Sequence, residues 1–141
     1  MHDDREAQPT DHAGLAVLRF EECLDLLRSC AVGRIAFTRN GDIEVLPVNH
    51  CVVDRTIAFR TASGSKLAAA YDGSVVAFEV DSYDPRERTG WSVLVKGRAE
   101  LVLDSRLLAR LDATGLRTWS PSAAQAQWVV IRADEVSGRR L

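Results

Sequence analysis

One stretch of the chain concentrates side chains able to hold an anion: Phe59-Arg60-Thr61-Ala62-Ser63-Gly64-Ser65-Lys66-Leu67. It brings a guanidinium, an ammonium, hydroxyls and a glycine to the place where a strand pattern gives way to a helix pattern. A helix start offers free N–H groups and a partial positive charge, and Gly64 lets the backbone come close to an anion. Arg60 supplies a planar fork of donors and Lys66 a mobile point charge. Two charge-assisted bonds of ~1.5–3 kcal/mol each would hold a phosphomonoester. The same residues also allow a plain reading, in which Ser63 or Ser65 caps the helix and the two cations face water. A second feature is Trp91-Ser92-Val93-Leu94-Val95 after Thr89-Gly90. A tryptophan at a strand start either fills the core or walls a planar ligand.

Other constellations are absent. There is no GxSxG elbow, no HExxH, no GxxxxGK[ST] and no GxGxxG between a strand and a helix. His50 is the only histidine inside the expected folded region, and it reads as a half-buried, hydrogen-bonded strand residue. Cys23, Cys30 and Cys51 have no CxxC spacing and make no ligand pattern with His2, His12 or His50. They read as small core residues, so no metal site is expected.

The elements that must position these groups follow from periodicity. Residues 1 to 13 are polar and aperiodic and are expected to form a flexible arm, with one domain over 14–141. Cys23, Leu26, Leu27 and Cys30 form an apolar stripe on a short helix, which Gly33 is expected to stop. From Gly33 the period becomes two: Ile35 and Phe37 alternate with polar or small residues up to Asn40-Gly41, a strong hairpin signal. The returning strand, Ile43 to Val53, contains Pro47, which marks a bulge, an edge or a place where the backbone turns toward something other than a strand. Asp54-Arg55 turns into a third strand, Thr56 to Thr61. A helix over Ser65–Tyr71, a fourth strand over Val75–Val80 and a surface loop over Asp81–Thr89 follow. Trp91–Leu103 reads as a long strand bent or bulged at Gly97. Asp104 or Ser105 caps a helix with Leu107, Leu108 and Leu111 on its buried stripe. A loop with Trp119 and Pro121 leads to a last strand, Gln127–Arg132. Six strands with two or three short helices make a mainly β (α+β) chain, a small closed or nearly closed antiparallel barrel.

Composition agrees with a single globular domain. The 141 residues are 46% hydrophobic and 27% charged, with net charge −2. That balance argues against nucleic-acid binding, which needs a dense basic field. No apolar run approaches the ~20 residues a spanning helix needs. No secretory signal pattern is seen, so a soluble, cytoplasmic protein without membrane partners is expected.

In order and spacing these segments resemble the pyridoxamine 5′-phosphate oxidase-like family of flavin-binding split barrels, over about residues 15–141. The resemblance is closest to its short actinobacterial-type members. The residues that carry it are Cys23-Leu24-Asp25-Leu26-Leu27, Gly33-Arg34-Ile35-Ala36-Phe37, Pro47-Val48-Asn49-His50, Phe59-Arg60-Thr61 and Gly64-Ser65-Lys66-Leu67. Val76–Asp81, Thr89–Ala99 and the ending Val136-Ser137-Gly138-Arg139-Arg140 continue it.

The resemblance implies a six-stranded split barrel that forms a homodimer, with flavin mononucleotide (FMN) in clefts between the subunits. It implies that Arg60, Ser65 and Lys66 hold the phosphate, assisted by Thr61 and the Gly64 backbone. Pro47, Val48 and Asn49 would run along the ring system, Phe59 would back that wall, and Trp91 and Ser92 would lie near the cofactor, reaching it from the partner subunit. The implied activity is a flavin-dependent oxidoreductase acting on a small molecule, with reduced nicotinamide as a candidate electron donor. Other members bind a deazaflavin or haem, for which His50 is a candidate ligand, and a non-catalytic dimeric module is a further alternative. Asp54-Arg55 stands where an Asp-Gly turn is expected. The chain also lacks the length and basic C-terminal region of the true pyridoxamine phosphate oxidases, so no role in vitamin B6 synthesis is expected.

Overall fold

The computed structural model describes residues 8–62, 72–118 and 126–141. Its elements in chain order are β1 (Ala16–Val17), α1 (Phe20–Ser29), β2 (Val32–Arg39), β3 (Asp42–Val53) and β4 (Thr56–Ala62). They continue with β5 (Asp72–Asp84), β6 (Thr89–Leu101), α2 (Ser105–Asp112) and β7 (Ala126–Arg140). The strands lie in the order β1-β7-β4-β3-β2-β5-β6, and β6 pairs back onto β7, so the antiparallel sheet closes on itself as a split barrel.

The β2–β3 hairpin turns on Asn40 and Gly41, both left-handed with φ of 51° and 82°. That is the twist-matched two-residue turn the dipeptide favours. At Asp54-Arg55 only Asp54 is left-handed, with φ 56°. Its carboxylate accepts from both Arg110 guanidinium ends at 3.1 and 3.2 Å, and Arg28 donates to its carbonyl at 3.2 Å. Both helices therefore anchor this turn.

Two clusters are buried. Inside the barrel, Ile35, Phe59, Phe78, Val93, Val95 and Ile131 are fully enclosed, and α1 plugs one end with Cys23, Leu24 and Leu27. Outside it, α2 covers Ala58, Trp128 and Val130 with Leu111, backed by Leu107 and Leu108. Asp104 caps α2 by accepting from the Arg106 and Leu107 N–H groups at 2.8 and 3.1 Å. The Trp128 indole N–H donates to Asp112 Oδ1 at 2.7 Å and pins the far end of the helix.

Several expectations need correction. Leu24 joins the buried stripe of α1, while Leu26 and Cys30 are only partly buried. Gly33 is not a helix stop; it lies within β2, where an added Cβ would strike the Phe78 ring. The loop expected over Asp81–Thr89 is mostly strand: pairing runs to Asp84↔Thr89. Asp84 Oδ1 closes the short turn by accepting from the Arg86 and Glu87 N–H groups. This ribbon is wet on nearly every residue, so no apolar period marks it. The last strand runs eight residues past Arg132, because β7 is paired with β6 along its length. Of the arm expected over 1–13, residues 8–13 fold back instead: Asp11 Oδ1 accepts from the Ala13 and Leu15 N–H groups, and Val17 N–H donates to Pro9. The helix expected at Ser65–Tyr71 and the Trp119–Pro121 loop lie outside the described residues.

Gly97 sits at the point where the β6–β7 register shifts, between Lys96↔Glu135 and Gly97↔Ala133. A Cβ there would collide with the carbonyl oxygen of Arg132, which is backbone and cannot step aside. Gly97→Val should therefore destabilise the fold by about 3 kcal/mol, read as a lower urea midpoint.

Candidate functional site

The barrel opens between β3 and β4. Their ladder covers only His50–Val53 and Thr56–Phe59. Beyond it β3 continues beside β2 back to Asp42, and β4 continues beside β7 to Ala62. Pro47 is paired to Arg34 on β2 and has no N–H to offer on its other side. The sequence thus places a proline where the sheet parts.

Alternation along the strands sorts the expected site residues. Pro47 and Asn49 share the outer face of β3, and Arg60 lies on the outer face of β4 beside Trp128 of β7. Phe59 is fully enclosed and Thr61 is buried, both on the barrel side, and Val48 packs against the same core. Gly64, Ser65 and Lys66 lie outside the described residues. The structure therefore brings Pro47, Asn49 and Arg60 together on one surface and turns Val48, Phe59 and Thr61 inward behind it.

Arg60 is half-buried, its guanidinium 5.3 Å above the Trp128 ring. Its Nη1 reaches the Leu116 carbonyl at 3.5 Å, and Asn49 Nδ2 reaches the Arg117 carbonyl at 3.4 Å. Both distances are at the outer limit of a hydrogen bond. Arg60 Nε is buried with no acceptor among the described residues. Among the described residues the guanidinium is held by an aromatic face and one long bond, which leaves donors for an anion at the mouth of the split.

Trp91 and Ser92 are elsewhere. Arg60 is level with Trp128 on β7, whereas Trp91 is level with Arg140. The twelve-residue step between these positions is on the order of 40 Å of strand. Trp91 borders a cavity of about 310 Å³ lined also by Ser82, Asp84, Thr89 and Arg140. Within one chain, then, the expected site residues form two separate groups.

The outer face of β2, β3, β5 and β6 carries groups that sequence reading did not single out. Across it run the rows Pro47–Arg34–Glu79–Leu94 and Val45–Ala36–Ala77–Lys96. Arg34 Nη1 stands 3.4 Å from Asp81 Oδ2 and 3.9 Å from Glu79 Oε2. Burial, and then the neighbouring Asp81 carboxylate, push the Glu79 carboxyl up to about 7 against the pull of Arg34. The signal was present: Glu-x-Asp in a strand puts both carboxylates on one face.

His50 is buried, with Nε2 2.8 Å from the Leu27 carbonyl and its ring edge-on to Phe78 at 4.9 Å. A carbonyl only accepts, so Nε2 carries the proton and donates. Burial holds the ring's pKa below the usual histidine value, against the opposing pull of the Leu27 bond. A ring enclosed in this way does not fit an axial haem ligand. No group of three or more potential metal ligands occurs among the described residues, and no described helix is long and apolar enough to cross a membrane. The His50 ring should take up its second proton at a lower pH than a free histidine, with Nε2 carrying the proton of the neutral form, as read from its ¹⁵N shifts; titration at or above the free value would contradict this geometry.

A family model described as pyridoxamine 5′-phosphate oxidase matches residues 20–140. An uncharacterised protein of Mycobacterium tuberculosis is 38% identical over 142 residues, covering 97% of this chain and 92% of that one. The solved FAD-binding protein of Mycobacterium smegmatis superposes with a TM-score of 0.79 at 38% identity, covering 89% of this chain and 99% of that chain. A FAD- and haem-binding protein of the same organism has a TM-score of 0.68 at 21% identity, covering 86% of this chain and 70% of the other, and shares the fold. From the start of α1 to the end of β7, this chain belongs to the pyridoxamine 5′-phosphate oxidase family.

Proposed function

We propose that this protein is a flavin-dependent oxidoreductase, acting in the cytoplasm as a homodimer that holds FMN at the split between β3 and β4. The observation that carries the reading is Arg60: a half-buried guanidinium, with Nε lacking an acceptor among the described residues, beside Asn49 and an open strand edge. That set fits a phosphorylated planar ligand. Arg60 would bind the phosphate, the Pro47–Asn49 backbone would orient the ring edge, and Phe59 with Val48 would keep the wall dry from behind. A bound flavin would supply hydride and electron transfer.

FMN and FAD present Arg60 with the same phosphate chemistry, and the similar Mycobacterium smegmatis protein binds FAD. The homodimer is supported by the distance between the Arg60 and Trp91 groups, which a two-fold partner can bridge. It is supported also by Ile43, Val45 and Val75, exposed at 80%, 57% and 63% on the outer face.

Protein purified without added cofactor should show an oxidised-flavin absorbance band that bleaches with reduced nicotinamide. Chromatography of the released chromophore separates FMN from FAD. Arg60→Gln should weaken flavin binding about 10- to 100-fold, the loss of one charge-assisted contact, measured by tryptophan quenching. A colourless protein that takes up neither flavin overturns the reading.

A further inference from the structure

We propose that the cavity at the far end of β5, β6 and β7 is a seat for a planar aromatic carboxylate, its ring laid on Trp91 and its carboxylate held by Arg140. Binding there requires no flavin. On the reading above, the occupant is the small molecule on which the oxidoreductase acts, and that identification alone rests on that reading.

Register builds the seat. Ser82, Trp91 and Arg140 stand directly opposite one another on three neighbouring strands, and Asp84 and Thr89 are paired nearer the ribbon tip. Opposed residues of antiparallel strands share a face, and these residues line one cavity of about 310 Å³. That volume is at the lower end for small-molecule pockets and suits a ligand of one or two rings. Backbone fixes its floor. Leu141 N–H donates to the Gly90 carbonyl at 2.9 Å, and a Cβ on Gly90 would strike the Ser82 carbonyl, so the strands lie close together there.

Trp91 is half-buried. It packs against the inner cluster and also borders the cavity. An indole already ordered by the core offers a second flat ring a surface that costs little to immobilise.

The two arginines at the end of β7 identify the charge of the occupant. They are adjacent in a strand and so face opposite sides. Arg139 is committed: its Nε donates to Asp11 at 3.1 Å and its Nη1 to the Gly138 carbonyl at 2.9 Å. The Arg140 side chain has no partner among the described residues. Asp84 is the one carboxylate side chain lining the cavity, and its Oδ1 accepts from the Arg86 and Glu87 N–H groups of its own turn. Around the seat Arg86, Arg88 and Arg140 outnumber Asp84 and Glu87. The unmatched charge is therefore positive. A guanidinium meets a carboxylate through two parallel bonds, and the Ser82 and Thr89 hydroxyls can add polar contacts at the rim.

The opposite face of the ribbon makes the contrast. It has a cavity of about 200 Å³ beside Leu15 and Tyr83, but its charged groups, Asp81 and Arg139, are already paired with Arg34 and Asp11. An anion would find no free cation there.

The test is a titration of the full ¹⁵N-labelled chain with salicylate and, separately, with its uncharged amide, salicylamide, at neutral pH. The Trp91 indole N–H signal is followed, assigned through Trp91→Phe, which keeps an aromatic ring against the core. Salicylate should move that signal with a dissociation constant about tenfold below that of the amide. Arg140→Gln, at an exposed position, should weaken salicylate about tenfold and leave the amide unchanged, and Arg140→Lys should recover part of the preference. Arg106→Gln, which removes the same charge from α2, should change neither. An unmoved Trp91 signal, equal affinity for acid and amide, or a preference that survives Arg140→Gln overturns the proposal. Inorganic phosphate that displaces salicylate at equal concentration overturns the aromatic part of it. Flavin absorbance of the same samples is read separately. Colourless protein that still prefers salicylate removes the flavin reading alone, and flavin-loaded protein that ignores salicylate removes the seat alone.

Discussion

A strand hydrogen-bonded on both sides decides the shape of this molecule. β7 pairs with β4 through its first half, with β6 through almost all of its length and with β1 at its end. β7 runs along one edge of β4 as far as Ala62 and β2 along one edge of β3 back to Asp42, while the ladder between β3 and β4 themselves ends at His50 and Phe59. The split begins at Asn49 and Arg60, the first positions beyond that ladder. A closed barrel abolishes sheet edges; among the described residues this one opens beyond the β3–β4 ladder, and the chain places a proline and a guanidinium there.

The two buried clusters then divide the labour. The inner one gives β3 and β4 a rigid backing, with Phe59 fully enclosed directly behind the outer surface that bears Arg60. His50 adds a polar tie from β3 to α1, satisfied at Nε2 by Leu27. The outer cluster holds Trp128 beneath Arg60, and its indole is pinned in turn by Asp112. The guanidinium therefore rests on a ring whose position is set by packing on one side and a short hydrogen bond on the other. This is the kind of support a binding group needs to keep its direction.

Much of this was legible from local chemistry. Asn40-Gly41 marked the hairpin, Pro47 the place where pairing changes, and Gly97 the register shift. Each is a backbone constraint written in one or two residues. The elements misjudged were those whose signal is not local. Asp81–Asp84 is strand although it is exposed, because pairing to Thr89–Ser92 satisfies its backbone while no apolar alternation reports it. Residues 132–135 of β7 are all exposed and mostly charged, and hide the continuation of a strand held by partners far away in sequence. Among the site residues, strand alternation alone separates the outward Pro47, Asn49 and Arg60 from the inward Val48, Phe59 and Thr61. Nothing local could show that Trp91 lies so far along β7 from Arg60, because that depends on the register of two ladders.

Arg34 shows how tightly binding and association would be joined on this surface. It is the cross-strand neighbour of Pro47 on one side and of Glu79 on the other. The residue that borders the open strand edge is therefore also the cation that balances the acidic pair. A ligand seated along Pro47–Asn49 and a second chain seated on β5 would each change the solvation of the same guanidinium. Removing water from Arg34 strengthens its pull on both carboxylates, which works against the burial that raises the Glu79 pKa. The two effects oppose each other through one side chain. Arg34 thus ties the open strand edge at Pro47 to the acidic pair on β5.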